Sequence, residues 1–152
     1  MTYSTADARG QVLDVLADAA DEIARALADL GEAYEQLDER AAEQLEQEIF
    51  RPVQMAYGRV QRTYADFAAR YGLASHGFEP QSPGHPSPGA KGFVERAVEA
   101  AARADGALAT LQDSMLPVDV GDQELRAGVT EVRELLGGVR VRGRELVRVI
   151  GR

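Results

Sequence analysis

Three tyrosines at seven-residue intervals are the side chains whose spacing most suggests a binding site. Tyr57, Tyr64 and Tyr71 lie on one row of a helix. Each buried phenol needs a hydrogen-bond partner, and aromatic rings between helices can line a ligand cavity. The rings therefore either pack in the core, with arginines or acids of facing helices as partners, or line a small-molecule pocket. The rim of such a pocket would contain Gln54, Arg59 and Arg62.

Carboxylate pairs are the next candidates, because helical bundles can hold a di-metal centre between their helices. Such a centre needs Glu-x-x-His pairs on two helices, and this sequence contains none. The pairs Glu32/Glu35 and Glu43/Glu46 have the spacing of metal ligands but lie beside the apolar rows. The sequence predicts no metal site.

A nucleophile with its base is the third possibility, carried by Ser75 with His76 and by His85. All three residues lie in a segment rich in proline and glycine, which offers no rigid frame to orient a base. No glycine-rich phosphate motif follows a strand. The sequence therefore predicts a non-enzymatic protein without a cofactor.

Composition excludes further chemistry and indicates where charge is concentrated. The 152 residues include no cysteine, which rules out disulfides, zinc ribbons and thiol catalysis. The net charge is -8, and residues 1–50 hold 13 acids against 3 arginines. Such a field repels phosphate, so nucleic-acid binding is disfavoured. No signal peptide or membrane span is recognisable, and we expect a cytoplasmic protein that does not bind membranes.

The C-terminal segment has the opposite charge. It carries Arg140, Arg142, Arg144, Arg148 and Arg152, with Glu145 as the only acid among them. An acidic N-terminal half and a basic C-terminal end predict mutual attraction, within one chain or between two. Salt bridges to the acidic first helix, or simple solvation, would account for these arginines.

Apolar residues recur at alternating steps of three and four along most of the chain, which predicts helices with one narrow buried face. Gly143 lies on this face in the last helix, and the row of the first helix contains Leu16, Ala20, Ile23, Leu27, Leu30, Tyr34, Leu37 and Ala41. The expected fold is all-α: an elongated antiparallel bundle forming one domain over residues 1–152. Its four helices would run up-down-up-down over residues 6–47, 52–71, 91–115 and 122–150. Residues 72–90 hold four of the six prolines and predict a long mobile loop.

The junction near Pro52 leaves an alternative. Apolar steps of four from Ala41 to Val53 and the proline itself both favour a break at residues 48–52. No residue there favours a tight turn. A kink instead of a reversal would give one long helix over residues 6–71 followed by a helical hairpin. Either arrangement leaves room for a dimer.

Sequence resemblances add little about activity. The segments FRPVQMAYGRVQRTYADFAARYGL and LQDSMLPVDVGDQELRAGVTEVRELL resemble uncharacterised small all-helical, Ala/Arg-rich proteins of high-GC Gram-positive bacteria. The Phe50-x-Pro52-Val53 stretch is similar to the kink in long helices of BAR domains, although the acidic charge argues against anionic lipid. Tyr34-x-x-x-Asp38 looks like the signal of type VII secretion substrates, which are helical hairpins.

We therefore expect a non-enzymatic bundle that acts through protein–protein contacts or self-association, as a homodimer or with a protein partner. The alternatives are a small-molecule binder with the tyrosine-lined cavity, and a type VII-like exported helical hairpin.

Overall fold

A computed structural model describes residues 4–83 and 89–150, and within these ranges all regular structure is helical. The elements are α1 (Thr5–Gln36), α2 (Glu39–Leu45), a π turn (Glu46–Phe50), α3 (Arg51–Arg70), α4 (Gly89–Asp113), α5 (Leu116–Asp119), α6 (Gln123–Leu136) and α7 (Val139–Ile150). They form four arms around one apolar core. The first arm is α1, the second is α2 with the π turn and α3, the third is α4, and the fourth is α6 with α7. The expected all-α antiparallel bundle is confirmed.

The chain first reverses at Leu37 and Asp38, not near Pro52. Both residues have extended backbone, and the Asp38 carboxylate accepts the Ala41 N–H at 2.8 Å, which caps α2. An aspartate that satisfies a free N–H at a helix start is a strong helix-initiating signal. Tyr34, expected in the buried row, is 42% exposed. The predicted helices 6–47 and 52–71 therefore had the wrong boundary, and the single helix over residues 6–71 is not formed.

The second arm passes through Pro52 without reversing, because it contains the π turn. There the Arg51 N–H donates to the Glu46 carbonyl, five residues back. The wider turn takes up one extra residue, which produces the steps of four in the apolar row. Pro52 lacks an N–H, so it leaves the Glu48 carbonyl without its usual helical donor. The Arg142 Nη1 donates to that oxygen at a long 3.5 Å.

The arms run up, down, down and up, which corrects the predicted up-down-up-down order. The Arg9 guanidinium lies 3.7 Å from the Tyr71 ring centroid, so the second arm ends beside the start of the first. We call this the Tyr71 end. Gly89 lies beside Gln36, at the opposite end, which we call the Gln36 end. The Arg9 Nε donates to the Val120 carbonyl at 3.0 Å, so α4 descends to the Tyr71 end.

The loop is long because the chain ends α3 at the Tyr71 end and begins α4 at the Gln36 end, so it has to return along the whole bundle. The 32 residues of α1 span about 48 Å at 1.5 Å per residue. Residues 71–88 reach at most about 60 Å when extended. The fourth arm then climbs from Asp122, paired with Arg70, to Arg142 beside Glu48. In space, every pair of neighbouring arms is antiparallel.

The described part of the loop packs on the second arm rather than extending freely into solvent. The His76 N–H donates to the Tyr64 hydroxyl at 3.2 Å, and the Phe78 ring lies edge-on to Tyr64 with centroids 5.0 Å apart. Leu73 and Phe78 are partly buried against the core. The predicted mobile linker is therefore docked over its first half, while His85 lies outside the described residues.

Gly137 and Gly138 separate α6 from α7, so the predicted single helix 122–150 is two helices. Gly143 is buried, as predicted, and a Cβ there would overlap the Cγ2 of Val98 on α4. The two backbones can approach closely only because this residue has no side chain. No helix in the described ranges combines the length and hydropathy needed to cross a bilayer.

Candidate functional site

The tyrosine row is divided among three environments. The Tyr64 hydroxyl accepts a bond from the loop backbone, whereas the Tyr71 hydroxyl donates to Asp122 Oδ2 at 2.9 Å. Burial, followed by the negative charge of Asp21, raises the pKa of Tyr57 above its ordinary value. The Tyr71 hydroxyl thus bonds an acid of a facing helix, as the core-packing interpretation requires, whereas the partner of Tyr64 is the loop backbone. A ligand cavity at these rings stays a prediction.

The side chains predicted for the rim of that cavity have different surroundings. Gln54 and Arg62 are exposed. Arg59 is half-buried, pairs with Glu131 of α6 and donates from Nη1 to the Thr63 hydroxyl at 3.1 Å. Arg59 therefore fastens the second arm to the fourth.

A polar cluster at the Tyr71 end is centred on Asp122, the cap of α6. Its carboxylate accepts two bonds from Arg70, at 2.7 and 2.8 Å, and one from the Leu125 N–H at 2.8 Å. Burial alone would raise the pKa of Asp122. The bonds from Arg70, Leu125 and Tyr71, with the charge of Arg70, outweigh it and hold that pKa below its ordinary value. The cluster joins the second and fourth arms.

The predicted carboxylate pairs do not converge. Glu32 is half-buried, while Glu35 and Glu46 are exposed. Glu43, also exposed, accepts a bond from the Gln47 side chain. In residues 4–83 and 89–150, no three His, Cys, Asp or Glu side chains come close enough to hold a metal ion.

The outer surface of α7, which we call the α7 face, combines exposed valines with exposed arginines. Its exposed members run from Arg140 and Arg144 on the α4 side, through Arg148 and Val141, to Val149 on the α2 side. Val141 is 57% exposed and Val149 is 55% exposed. None of the three arginines forms an ion pair with a described residue. They do not reach the acidic first arm, because α7 packs on α4 and α2. Arg152 lies outside the described residues.

A groove runs between α4 and α7 beside this face. It has adjoining sections of about 290 Å³ and about 350 Å³, both lined by Val98 and Arg140. Its α4 wall carries Glu95 and Glu99, and its α7 wall carries Arg140 and Arg144. The four charges lie along one short stretch and are exposed. The sequence shows the arginines but not the groove, which is formed only when α4 and α7 lie side by side.

A second concavity, of about 500 Å³, lies at the Gln36 end between α2 and Val149. Its α2 wall includes Asp38, Glu39 and Glu43, and Asp38 already serves as the helix cap. The Tyr34-x-x-x-Asp38 match therefore spans the reversal between α1 and α2, where Asp38 has a structural task.

No protein-family model matches this chain, and no curated protein or solved structure is significantly similar to it.

Proposed function

We propose that this protein is a non-enzymatic binding module that acts through protein contacts, with the α7 face as its recognition surface. The observation that carries the proposal is the combination of two valines more than half exposed with three exposed arginines that have no ion pair among the described residues. Recognition surfaces typically pair apolar contact with arginine, which binds carboxylates through two parallel bonds.

The shifted pKa values support this interpretation, because they belong mainly to pairs that hold helices together. The pKa of Arg133 is raised first by its bond with Asp105, which joins α6 to α4. The pKa of Arg70 is raised first by its bond with Asp122. Catalytic groups usually owe their shifted pKa values to a cleft, whereas these owe theirs to contacts between arms.

The partner surface is expected to carry carboxylates, because the α7 face is basic on a molecule whose net charge is -8. An anionic membrane fits less well. The apolar side of α7, with Val139, Gly143 and Leu146, is buried in the bundle and is not available to enter lipid.

Site-specific photo-crosslinking in the protein's own cells tests this proposal. A photoreactive phenylalanine analogue is placed at Val141 or Val149, and at Met55 as a matched control, because Met55 is 56% exposed on another arm. We expect protein adducts from the two α7 positions that fade when Arg148 is changed to Glu. Equal crosslinking from Met55, or none from α7, would contradict the proposal.

A further inference from the structure

We propose that the α4–α7 groove is the interface of a two-fold symmetric homodimer, in which Glu95 and Glu99 of each copy pair with Arg140 and Arg144 of the other. This inference rests on the proposed function: it uses the Arg140 and Arg144 edge of the α7 face and assigns the partner, a second copy of this chain. Its basis is that one face carries both signs of charge on opposite walls, at the same height along the bundle.

The symmetry follows from where the charges lie. A two-fold axis parallel to the bundle sets α4 of one copy opposite α7 of the other and keeps every residue at its height. Glu95 and Glu99 then face Arg140 and Arg144, and each contact occurs twice. A two-fold axis that lies in the same face but runs perpendicular to the bundle would instead set α4 of one copy against α4 of the other. Like charges would then meet, which is unfavourable. Both axes close a dimer, but only the parallel one sets opposite charges against each other.

Within residues 4–83 and 89–150, these four side chains have no competing ionic partner. Glu95, Glu99, Arg140 and Arg144 form no ion pair with any described residue, although they line the same groove. Other arginines with nearby acids do pair, as Arg103 does with Glu22 at 2.9 Å. Charges left unpaired across a groove are free to bind a complementary surface.

The shape of the face also suits a helix pair. Ala102 and Gly106 keep the α4 wall low, and Val98 supplies partly buried apolar surface at its centre. The face is about 37 Å long, from the 25 residues of α4, and about 20 Å wide for two adjacent helices. That is about 700 Å² per copy, close to the roughly 800 Å² that each partner buries in a standard stable interface.

A charge-exchange experiment tests the dimer. Sedimentation velocity is measured for the wild type, for a double variant with Arg140→Glu and Arg144→Glu, and for a second with Glu95→Arg and Glu99→Arg. We expect a wild-type dimer whose dissociation constant rises roughly tenfold or more in each double variant. An equimolar mixture of the two variants should recover a heterodimer. The matched control is Arg51→Glu with Arg62→Glu, two exposed arginines of the second arm.

A second measurement remains informative if a charge variant folds poorly. The sequence has no cysteine, so a spin label at Ala102→Cys reports only distances between copies. We expect a distance clearly shorter than that from Met55→Cys on another arm. A wild type that stays monomeric up to about 100 μM overturns the dimer, as does a dimer unchanged by both charge reversals. Crosslinking of the α7 face to a different protein would then still support the proposed function.

Discussion

Replacing Asp122 should remove more stability than a typical surface change, because one carboxylate serves two arms. The side chain is 17% exposed and its partner Arg70 is 32% exposed. A lost N-cap costs about 1 kcal/mol. The bonds from Arg70 and Tyr71 add about 1 kcal/mol each at this partial exposure. Asp122→Ala should therefore lower the free energy of unfolding by about 3 kcal/mol.

Urea titration at neutral pH measures this loss directly, and calorimetry should show a melting temperature lower by about 6–12 °C. Asp122→Asn retains an acceptor for the cap and should lose only about 1 kcal/mol. Asp119→Ala is the matched control: Asp119 is exposed on neighbouring α5, and the change should have little effect. A loss from Asp122→Ala no larger than that of Asp119→Ala would refute the reasoning.

The pH dependence gives an independent test of the same cluster. The pKa of Asp122 is lower in the folded protein than in the unfolded chain. Its contribution is therefore fully present above the unfolded value of about 4 and is lost as the pH falls through the folded pKa. The stability difference between wild type and Asp122→Ala should narrow below about pH 4. A difference that stays constant in acid would mean that the carboxylate charge contributes nothing.

Three further predictions concern the packing. Gly143→Leu forces a side chain against Val98 and should cost about 1–3 kcal/mol by urea titration; unchanged stability would place α7 farther from α4. Asp38→Ala should cost about 1 kcal/mol through the lost α2 cap, while Asp38→Asn stays near wild type; an equal loss from both would exclude capping. Phe78→Ala should speed hydrogen exchange of the His76 amide, measured by mass spectrometry, because the loop loses its contact with Tyr64; unaltered exchange would show that the ring does not hold the loop.

The apolar periodicity predicted the helical class and most of the core, because residues three or four positions apart lie on the same face of a helix. Leu16, Ala20, Ile23 and Leu30 of the predicted first row are all buried. The apolar spacing could not predict where the chain first reverses. The spacing continues through Leu37 to Ala41, and only the cap residue Asp38 marked the turn.

The direction of the third arm was also beyond the sequence. Helices of either direction have the same apolar spacing, so periodicity cannot tell a hairpin from a loop that returns along the bundle. The length of the segment between Tyr71 and Gly89 was the one sign of a loop that returns along the bundle, but a segment of that length equally predicts a mobile loop. The α4–α7 groove depends on that arrangement of the arms. The sequence therefore shows the arginines of α7 but does not show that Glu95 and Glu99 lie opposite them.

Native mass spectrometry of the protein purified from its own cells, with no ligand added, tests most directly whether it acts through protein contacts. A single chain has a mass of 16.4 kDa. We expect an assembly of two chains, held by the α4–α7 groove, that dissociates when Arg140 and Arg144 are changed to Glu. A lone chain carrying a reproducible small-molecule adduct, lost in Tyr64→Ala, would contradict it and identify a ligand-binding protein instead.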